Sequence, residues 1–240
     1  MNIAIQVVLW TATIFQISVG GPQCIKIIRS KLTKGVPFLA FAIIFNAGAF
    51  CTLTSIAQII AVGVDAAWYY FLGKFLCYGA ALFFSTIIIV MKLKLEKLKF
   101  FKQKSLVIAF TVFCVFAPLY LILQIYGIQM NDKVVSDAAV WIVSLVTGIL
   151  CCIDTIPIFL KTIYDKEHVI HISIMTYCLN LIAYALWTTW TILMIVNGSG
   201  NDFSYYVLIA SNSIETIMTI ICVVGIKIAT NKYYLNHPRT

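Results

Sequence analysis

The sequence carries very little charge for its length. Only 11% of its 240 residues are aspartate, glutamate, lysine or arginine, whereas 62% are hydrophobic, and the mean hydropathy is +0.98. A water-soluble domain of this size needs more polar surface than this composition supplies. The scarcity of charge therefore excludes a soluble globule and indicates a membrane protein.

Other absences narrow the functional class. No Ser/His/Asp, HExxH or phosphate-binding glycine-rich arrangement occurs in the chain, so an enzyme is not expected. The eight cysteines lie inside apolar runs and lack the spacing of a disulfide framework or a metal site. We therefore expect no catalytic residues, no metal and no cofactor.

Long apolar runs are what the sequence does contain. A helix needs about 20 apolar residues to cross a hydrocarbon core about 30 Å thick. Seven such runs, bounded by charges or turn residues, predict seven transmembrane helices. They lie at 3–28, 36–62, 66–91, 105–126, 138–163, 169–196 and 203–229.

The basic residues are distributed unevenly among the connections. They fall almost entirely in alternate connections and at the C-terminus, and Lys133 is the exception on the other face. The positive-inside bias then predicts an extracytosolic N-terminus and a cytosolic C-terminus, in the plasma membrane or an internal membrane. Short basic loops of this kind explain the net charge of +8 without nucleic acid. The segment 92–104 also suits contact with anionic lipid head groups.

A weak internal repeat organises the runs. A shift of 135 residues places Pro22 on Pro157, Lys26 on Lys161 and Lys92 on Lys227, each pair at the same point of the hydropathy cycle. We therefore predict an all-α membrane protein with a 3+1+3 parallel repeat. Its parts are a first three-helix unit at 1–98, a linker helix at 99–133, and a second three-helix unit with the C-terminus at 134–240.

Prolines mark the end of the first helix in each predicted unit. Proline removes a backbone donor, so Pro22 and Pro157 should kink their helices near the cytosolic ends. Paired kinks there could open and close an inner gate, although ordinary kinking of a membrane helix is the alternative. Gln23, beside Pro22, is included among the candidate gating residues, but its partner position is Ile158, so any role of its amide belongs to one unit only.

One segment carries a family resemblance. The stretch "GPQCIKIIRSKLTKGVPF" followed by "FNAGAF" resembles the PQ-loop motif and second helix of the SWEET and MtN3/saliva sugar transporters, within the wider PQ-loop superfamily. The second copy, "IPIFLKTIYDK" followed by "LNLIAYALW", keeps Pro157 but has Ile158 in place of glutamine. The resemblance implies a passive sugar carrier with hinges at its prolines, one of which corresponds to Pro37.

The resemblance also implies a pocket. In the family an aromatic residue on the second helix and an asparagine on the third helix of each unit bind the substrate. The positions that match are Phe50 and Tyr184, each four residues after Asn46 and Asn180, and on the third helices Cys77 and Asn212. Only Asn212 keeps the family's asparagine, so two symmetric amide groups are not expected.

Three ionisable residues lie within the apolar runs, where each costs about 2.5 to 3.5 kcal/mol on insertion scales. They are Lys74, Asp154 and Glu215. Lys74 and Glu215 could form a structural ion pair or bind a charged or zwitterionic substrate. Alternatively, Glu215 or Asp154 could accept a proton and couple transport to it.

The sequence thus favours a facilitative carrier of small polar solutes, with sugars as the first expectation, that works by alternating access. A proton-coupled carrier of amino acids or other small polar solutes is the main alternative. A non-transporting receptor on the same helical frame is a third. The expected partners are the solute and the lipid bilayer, with homo-oligomerisation left open.

Overall fold

The protein is built from helices joined by short connections. The computed structural model describes residues 3–62, 68–129, 142, 145–146, 149–150, 153–164, 169–197 and 203–236. Its helices are α1 (Ile3–Ser18), α2 (Gly21–Ser30), α3 (Phe38–Val62), α4 (Trp68–Leu95), α5 (Lys104–Gln129), α6 (Ile156–Tyr164), α7 (Ile174–Val196) and α8 (Phe203–Asn236), with short 3-10 turns at Phe100–Lys102 and Val169–His171. The described residues contain no strand, so the predicted all-helical class is confirmed.

Within the described residues, six helical segments are long and apolar enough to cross a membrane. They are Ile3–Ser30, Phe38–Ile56, Leu72–Leu95, Lys104–Leu123, Ile174–Val196 and Tyr205–Leu235. The fifth predicted span, 138–163, is described in part: the residues described between 142 and 154 are helical, Thr155 forms a turn, and α6 follows. These spans are those of an integral, multi-pass membrane protein.

Apolar side chains cover the outside of the bundle as well as its interior. On α5, Phe110, Phe116, Leu119 and Ile122 are all more than half exposed. In water such a surface would be a liability, whereas lipid tails accept it without cost. The outer face of α5 therefore faces the hydrocarbon core.

The helices pack against one another through close contacts. The most extensive packing joins α3 to α4, where a Cβ on Gly48 would lie only 2.9 Å from the Leu82 nitrogen. Only glycine lets the two backbones approach this closely, which is the common basis of helix association in lipid. Helix α5 packs on α3, α1 packs on α4 and α7, and α8 packs on α6 and α7. A smaller contact joins α3 to α6.

The first predicted span is broken at its proline. Helix α1 ends at Ser18 and α2 begins at Gly21, so that Pro22 is the second residue of a new helix, where its missing N–H is not needed. The Cys24 N–H donates to the Gly20 carbonyl over 3.2 Å. A Cβ on Gly20 would lie 2.4 Å from Phe84 Cβ of α4, so this turn requires glycine.

The same break recurs before Pro157. Ile153 and Asp154 are helical, Thr155 forms a turn, and α6 begins at Ile156 with Pro157 as its second residue. The Phe159 N–H donates to the Thr155 carbonyl over 2.9 Å, as Cys24 does to Gly20. Each proline therefore begins a short, separate helix instead of only bending a long one.

Candidate functional site

Two apolar clusters close the bundle at different depths. We call the end that holds the lysines of α2, α4, α6 and α8 the basic end. The upper cluster lies toward the opposite end and joins α1, α4 and α7: Ile5, Leu9, Ala12, Cys77, Trp187 and Trp190. The lower cluster lies near the basic end and joins α3, α6, α7 and α8: Ala40, Ile158, Val169, Ile172, Tyr177, Cys222, Ile226 and Ala229.

A polar stretch of α8 lies between these clusters. Leu208 packs on the upper cluster, and Cys222 belongs to the lower cluster. At about 1.5 Å of helix rise per residue, Leu208 and Cys222 are about 21 Å apart along α8. Between them Asn212, Glu215 and Thr219 follow helical spacing on one face, and each is at most 6% exposed. Buried polar groups in a membrane usually mark a functional site.

Polar side chains also occur beside these clusters on other helices. Gln16 lies one turn after Ala12 of the upper cluster on α1, Asn46 follows Ala40 of the lower cluster on α3, and Asn180 lies between Tyr177 and Trp187 on α7. Together with Asn212 and Glu215, we call them the central polar layer. This layer is the candidate site.

Several amide atoms of the central polar layer are buried and have no hydrogen-bond partner in the part of the chain that the structure describes. Asn46 Nδ2 donates to the Ala42 carbonyl over 3.2 Å. Its Oδ1, like Gln16 Oε1, Asn180 Oδ1 and Asn212 Nδ2, has no hydrogen-bond partner among the described residues. A buried amide group that lacks a partner costs about 1 to 3 kcal/mol. A polar solute between the helices would satisfy both donors and acceptors of this layer.

The structure places Asp154 of the second half within electrostatic range of Glu215 on α8. The Tyr177 hydroxyl lies within the same range of the Asp154 carboxyl group. Asp154 Oδ1 has no hydrogen-bond partner in the described part of the chain. Two ionised carboxylates repel each other, so a proton or a bound positive charge near them would reduce this repulsion.

Hydroxyl groups extend this acidic pair toward the basic end. The Cys222 S–H donates to the Thr155 carbonyl over 3.8 Å, which places Thr155 against α8. Thr155 Oγ1 and Thr219 Oγ1 are both buried and have no hydrogen-bond partner among the described residues. The break before Pro157 therefore opens onto polar atoms of α8.

Lys74 and Cys77 lie higher on α4. Lys74 is half-buried and lies close to Cys51 of α3 and Tyr205 of α8. Cys77 is part of the upper cluster, with its Sγ 3.9 Å from the Thr13 carbonyl. At this position, then, the first half of the chain contributes a small apolar contact where the second half contributes the amide of Asn212.

The two aromatic positions are both buried. Phe50 packs on α5, with its ring 5.9 Å from that of Phe113 and with Ala117 and Tyr120 alongside. Tyr184 is 8% exposed on α7, one turn beyond Asn180. Trp187 and Trp190, on the same helix, pack edge to face at 5.8 Å inside the upper cluster.

Gln23 and Lys26 form a joint that sequence reasoning missed. Gln23 is 2% exposed; its Nε2 donates to the His171 carbonyl over 3.2 Å, and its Oε1 accepts the Ser173 N–H over 2.6 Å. Lys26 Nζ donates to the Ile172 carbonyl over 2.8 Å. We call this the polar joint, because it fastens α2 to the start of α7. The signal was an amide in an apolar run, but its partner is 148 residues away.

The equivalent contact of α6 is apolar. Ile158 is 3% exposed and packs in the lower cluster with Ala40, near the start of α3. We call this the apolar joint. Pro37, the remaining predicted hinge, lies immediately before α3 and so begins that helix without interrupting it.

Comparison with known proteins adds no information on the function of this site. The chain matched no protein-family description, no characterised protein and no solved structure.

Proposed function

We propose that the protein is a facilitative carrier of small polar solutes, with sugars as the first candidates, of the SWEET and PQ-loop type. The observation that carries the proposal is the central polar layer, whose buried amide atoms lie between the upper and lower clusters. A site near the midplane with a closure on each side is the arrangement that alternating access requires. Neutral donors and acceptors suit hydroxyl-rich solutes.

The packing supports two three-helix units joined by α5. In the first unit, α4 packs on α1 and α3; in the second, α8 packs on α6 and α7. Across the units, α1 packs on α7 as α6 packs on α3. These paired contacts, together with the paired helix breaks before Pro22 and Pro157, support the 3+1+3 parallel repeat. With the N-terminus extracytosolic, the basic end is cytosolic.

In this proposal the two joints are the cytosolic gate. Opening toward the cytosol separates α2 from the start of α7 and α6 from the start of α3. The helix breaks before Pro22 and Pro157 let the short helices α2 and α6 move without unfolding the spans above them. Closing of the upper cluster then isolates the central polar layer from the other side.

Sugar equilibration in proteoliposomes tests the proposal. Labelled mono- and disaccharides should equilibrate without any imposed gradient, and Asn212→Ala should slow this by about tenfold or more, because one lost hydrogen bond is worth about 1.5 kcal/mol. Ser213→Ala is the matched control, since Ser213 is exposed on the next position of α8. Failure of every sugar to equilibrate with folded protein would refute it.

The acidic pair favours a second candidate, a proton-coupled carrier of amino acids or other small polar solutes. Asp154 and Glu215 interact at the edge of the central polar layer, where one shared proton could load and leave with the solute. An inward proton gradient should then drive accumulation. Asp154→Asn or Glu215→Gln should abolish the drive yet leave exchange at equal pH. Uptake that ignores the gradient excludes this candidate and leaves the first intact.

A further inference from the structure

The connection between α4 and α5 combines solvent-exposed lysines with an exposed aromatic ring. We call residues 94–104 the linker turn. Phe100 and Phe101 are adjacent, yet Phe100 packs against the α3–α4–α5 junction, with its ring 6.1 Å from that of Phe110. Phe101 is 88% exposed. The 3-10 turn thus separates one ring that holds the turn in place from one that points outward.

The linker turn is fixed to the bundle by a buried cation. Lys92 Nζ donates to the Thr33 carbonyl over 2.9 Å and to Glu96 Oε1 over 2.6 Å, and it lies 5.1 Å from the centre of the Phe38 ring. Thr33 Oγ1 also donates to Glu96 Oε1 over 2.7 Å. Since Lys92 already engages Glu96, this carboxylate is not free to balance the lysines that follow.

Those lysines are exposed. They are Lys94, Lys97, Lys99, Lys102 and Lys104. The described residues offer none of them an ion-pair partner, since the Lys92–Glu96 pair is the salt bridge found there. Their charge is complementary to an anionic membrane surface, which attracts each nearby lysine by about 1 kcal/mol. A fully exposed phenyl ring is unfavourable in water but favourable in the interface.

We propose that the linker turn is a binding site for the anionic lipids of the adjacent leaflet, with Phe101 inserted among the acyl chains and the lysines placed against the phosphate and carboxylate head groups. The rigid attachment through Lys92 and Phe100 sets the ring and the charges at one depth before lipid binds. The site is independent of the transport proposal, because it uses no residue of the central polar layer or of either joint.

Fluorescence of full-length Phe101→Trp in lipid nanodiscs tests this site. Brominated phosphatidylcholine quenches the fluorescence of a tryptophan that is inserted among the acyl chains. The emission of the five native tryptophans is removed by subtracting the wild-type spectrum. Quenching of the added emission should rise when phosphatidylserine is included and fall in high salt. Adding Lys99→Gln and Lys102→Gln should lower the ratio of inserted to free turn by about fivefold per lysine.

Lys227→Gln with Lys232→Gln is the matched control, since both lysines are exposed at the basic end of α8 and lie outside the linker turn. This pair should leave the quenching unchanged. Emission that stays unquenched in every membrane would overturn the proposal. So would quenching that is equal with and without phosphatidylserine, because the ring would then insert without help from the charges.

Discussion

The two joints at the basic end occupy matching positions but have opposite chemistry. In the polar joint, Gln23 and Lys26 reach the start of α7 through three hydrogen bonds. In the apolar joint, Ile158 reaches Ala40 near the start of α3 by packing alone. A hydrogen bond depends on a few tenths of an ångström, whereas apolar contact tolerates sliding. We therefore expect the polar joint to fix the position of α2 relative to the start of α7. The apolar joint should contribute buried apolar area without fixing the position of α6 as strictly.

The helix breaks above the joints show a similar contrast. In the first half, Gly20 leaves no room because Phe84 fills the space beside it. In the second half, Thr155 meets α8 near Cys222 and Thr219, beside Asp154 and Glu215. Shape therefore constrains the first break, while the second brings buried polar atoms together. Both halves of the chain contain the same helix break before a proline, but the side chains around the two breaks differ.

Ile158→Gln tests the apolar joint and should have the largest effect. The change places an amide in the lower cluster, where an unpaired polar group costs about 1 to 3 kcal/mol in addition to the lost packing. We expect a total of about 3 kcal/mol in the free energy of unfolding, measured by denaturation in detergent. Tyr164→Gln, on the same helix but 83% exposed, is the control. Equal effects of the two would show that the apolar joint contributes nothing.

Gly20→Ala tests whether shape constrains the first break. The new Cβ would lie 2.4 Å from Phe84 Cβ, so the turn between α1 and α2 must move away from α4. We expect a loss of about 2 kcal/mol in the free energy of unfolding. Gly21→Ala is the control, because it adds the same Cβ atom at the next residue, where no other atom lies within 4 Å. Thermal unfolding should separate these neighbours. If Gly20→Ala unfolds at the same temperature as Gly21→Ala, the close contact with Phe84 is not a constraint.

Lys92→Gln compares Lys92 of α4 with Lys227 of α8, which the shift of 135 residues places on each other. It removes the ion pair to Glu96 and the bond to the Thr33 carbonyl, and we expect a cost of about 1.5 kcal/mol because the pair is partly buried. Lys227→Gln removes an exposed lysine and should cost about 0.5 kcal/mol or less. Thermal unfolding of both variants in one detergent gives the difference. A larger effect at Lys227 would reverse the comparison.

Gln23→Leu tests the polar joint. It leaves the Ser173 N–H and the His171 carbonyl without their partner, and we expect a cost of about 1 kcal/mol. Hydrogen exchange at residues 171–173 should increase, because this segment loses two of its contacts with α2. Gln103→Leu makes the same change at a half-buried site in the linker turn and should leave that segment protected. Unchanged exchange in Gln23→Leu would mean that the joint does not order the start of α7.

Thr155→Val should have the smallest effect on stability. Its Oγ1 is buried without a hydrogen-bond partner in the described residues, so an isosteric methyl group should cost less than about 0.5 kcal/mol. If the second break faces a solute or a proton, the same change should weaken transport. Unfolding temperature and uptake measured on one preparation separate the two roles. A large loss of stability would show that the hydroxyl is structural.

Much of the fold could be predicted because a bilayer leaves few choices. Each apolar run had to be a helix, since the lipid offers no partner for a free backbone group. The predicted runs at 36–62 and 203–229 correspond to α3 and to all but the last turns of α8, which continues to Asn236. The continuation past 229 was missed because its residues are polar, and hydropathy does not detect a helix that has left the membrane.

Less of the candidate site could be predicted. Asp154 and Glu215 stand out in any apolar run, but a one-dimensional pattern cannot show which ionisable residues lie near each other. It left a Lys74–Glu215 pair as one alternative and gave no reason to place Asp154 near Glu215. Gln23 also stood out, yet its partners are backbone atoms at residues 171–173. Backbone partners leave no trace in the identity of the residues that provide them.

Composition and hydropathy by themselves determined that this chain is a helical membrane protein and where most of its apolar helices lie, because those properties depend on each segment and the solvent around it. The tertiary structure alone decided that Gln23 holds the start of α7, that Phe84 requires glycine at position 20, and that Asp154 lies within electrostatic range of Glu215. These contacts depend on how helices distant in sequence pack together, and packing is a property of pairs of surfaces that no single segment encodes.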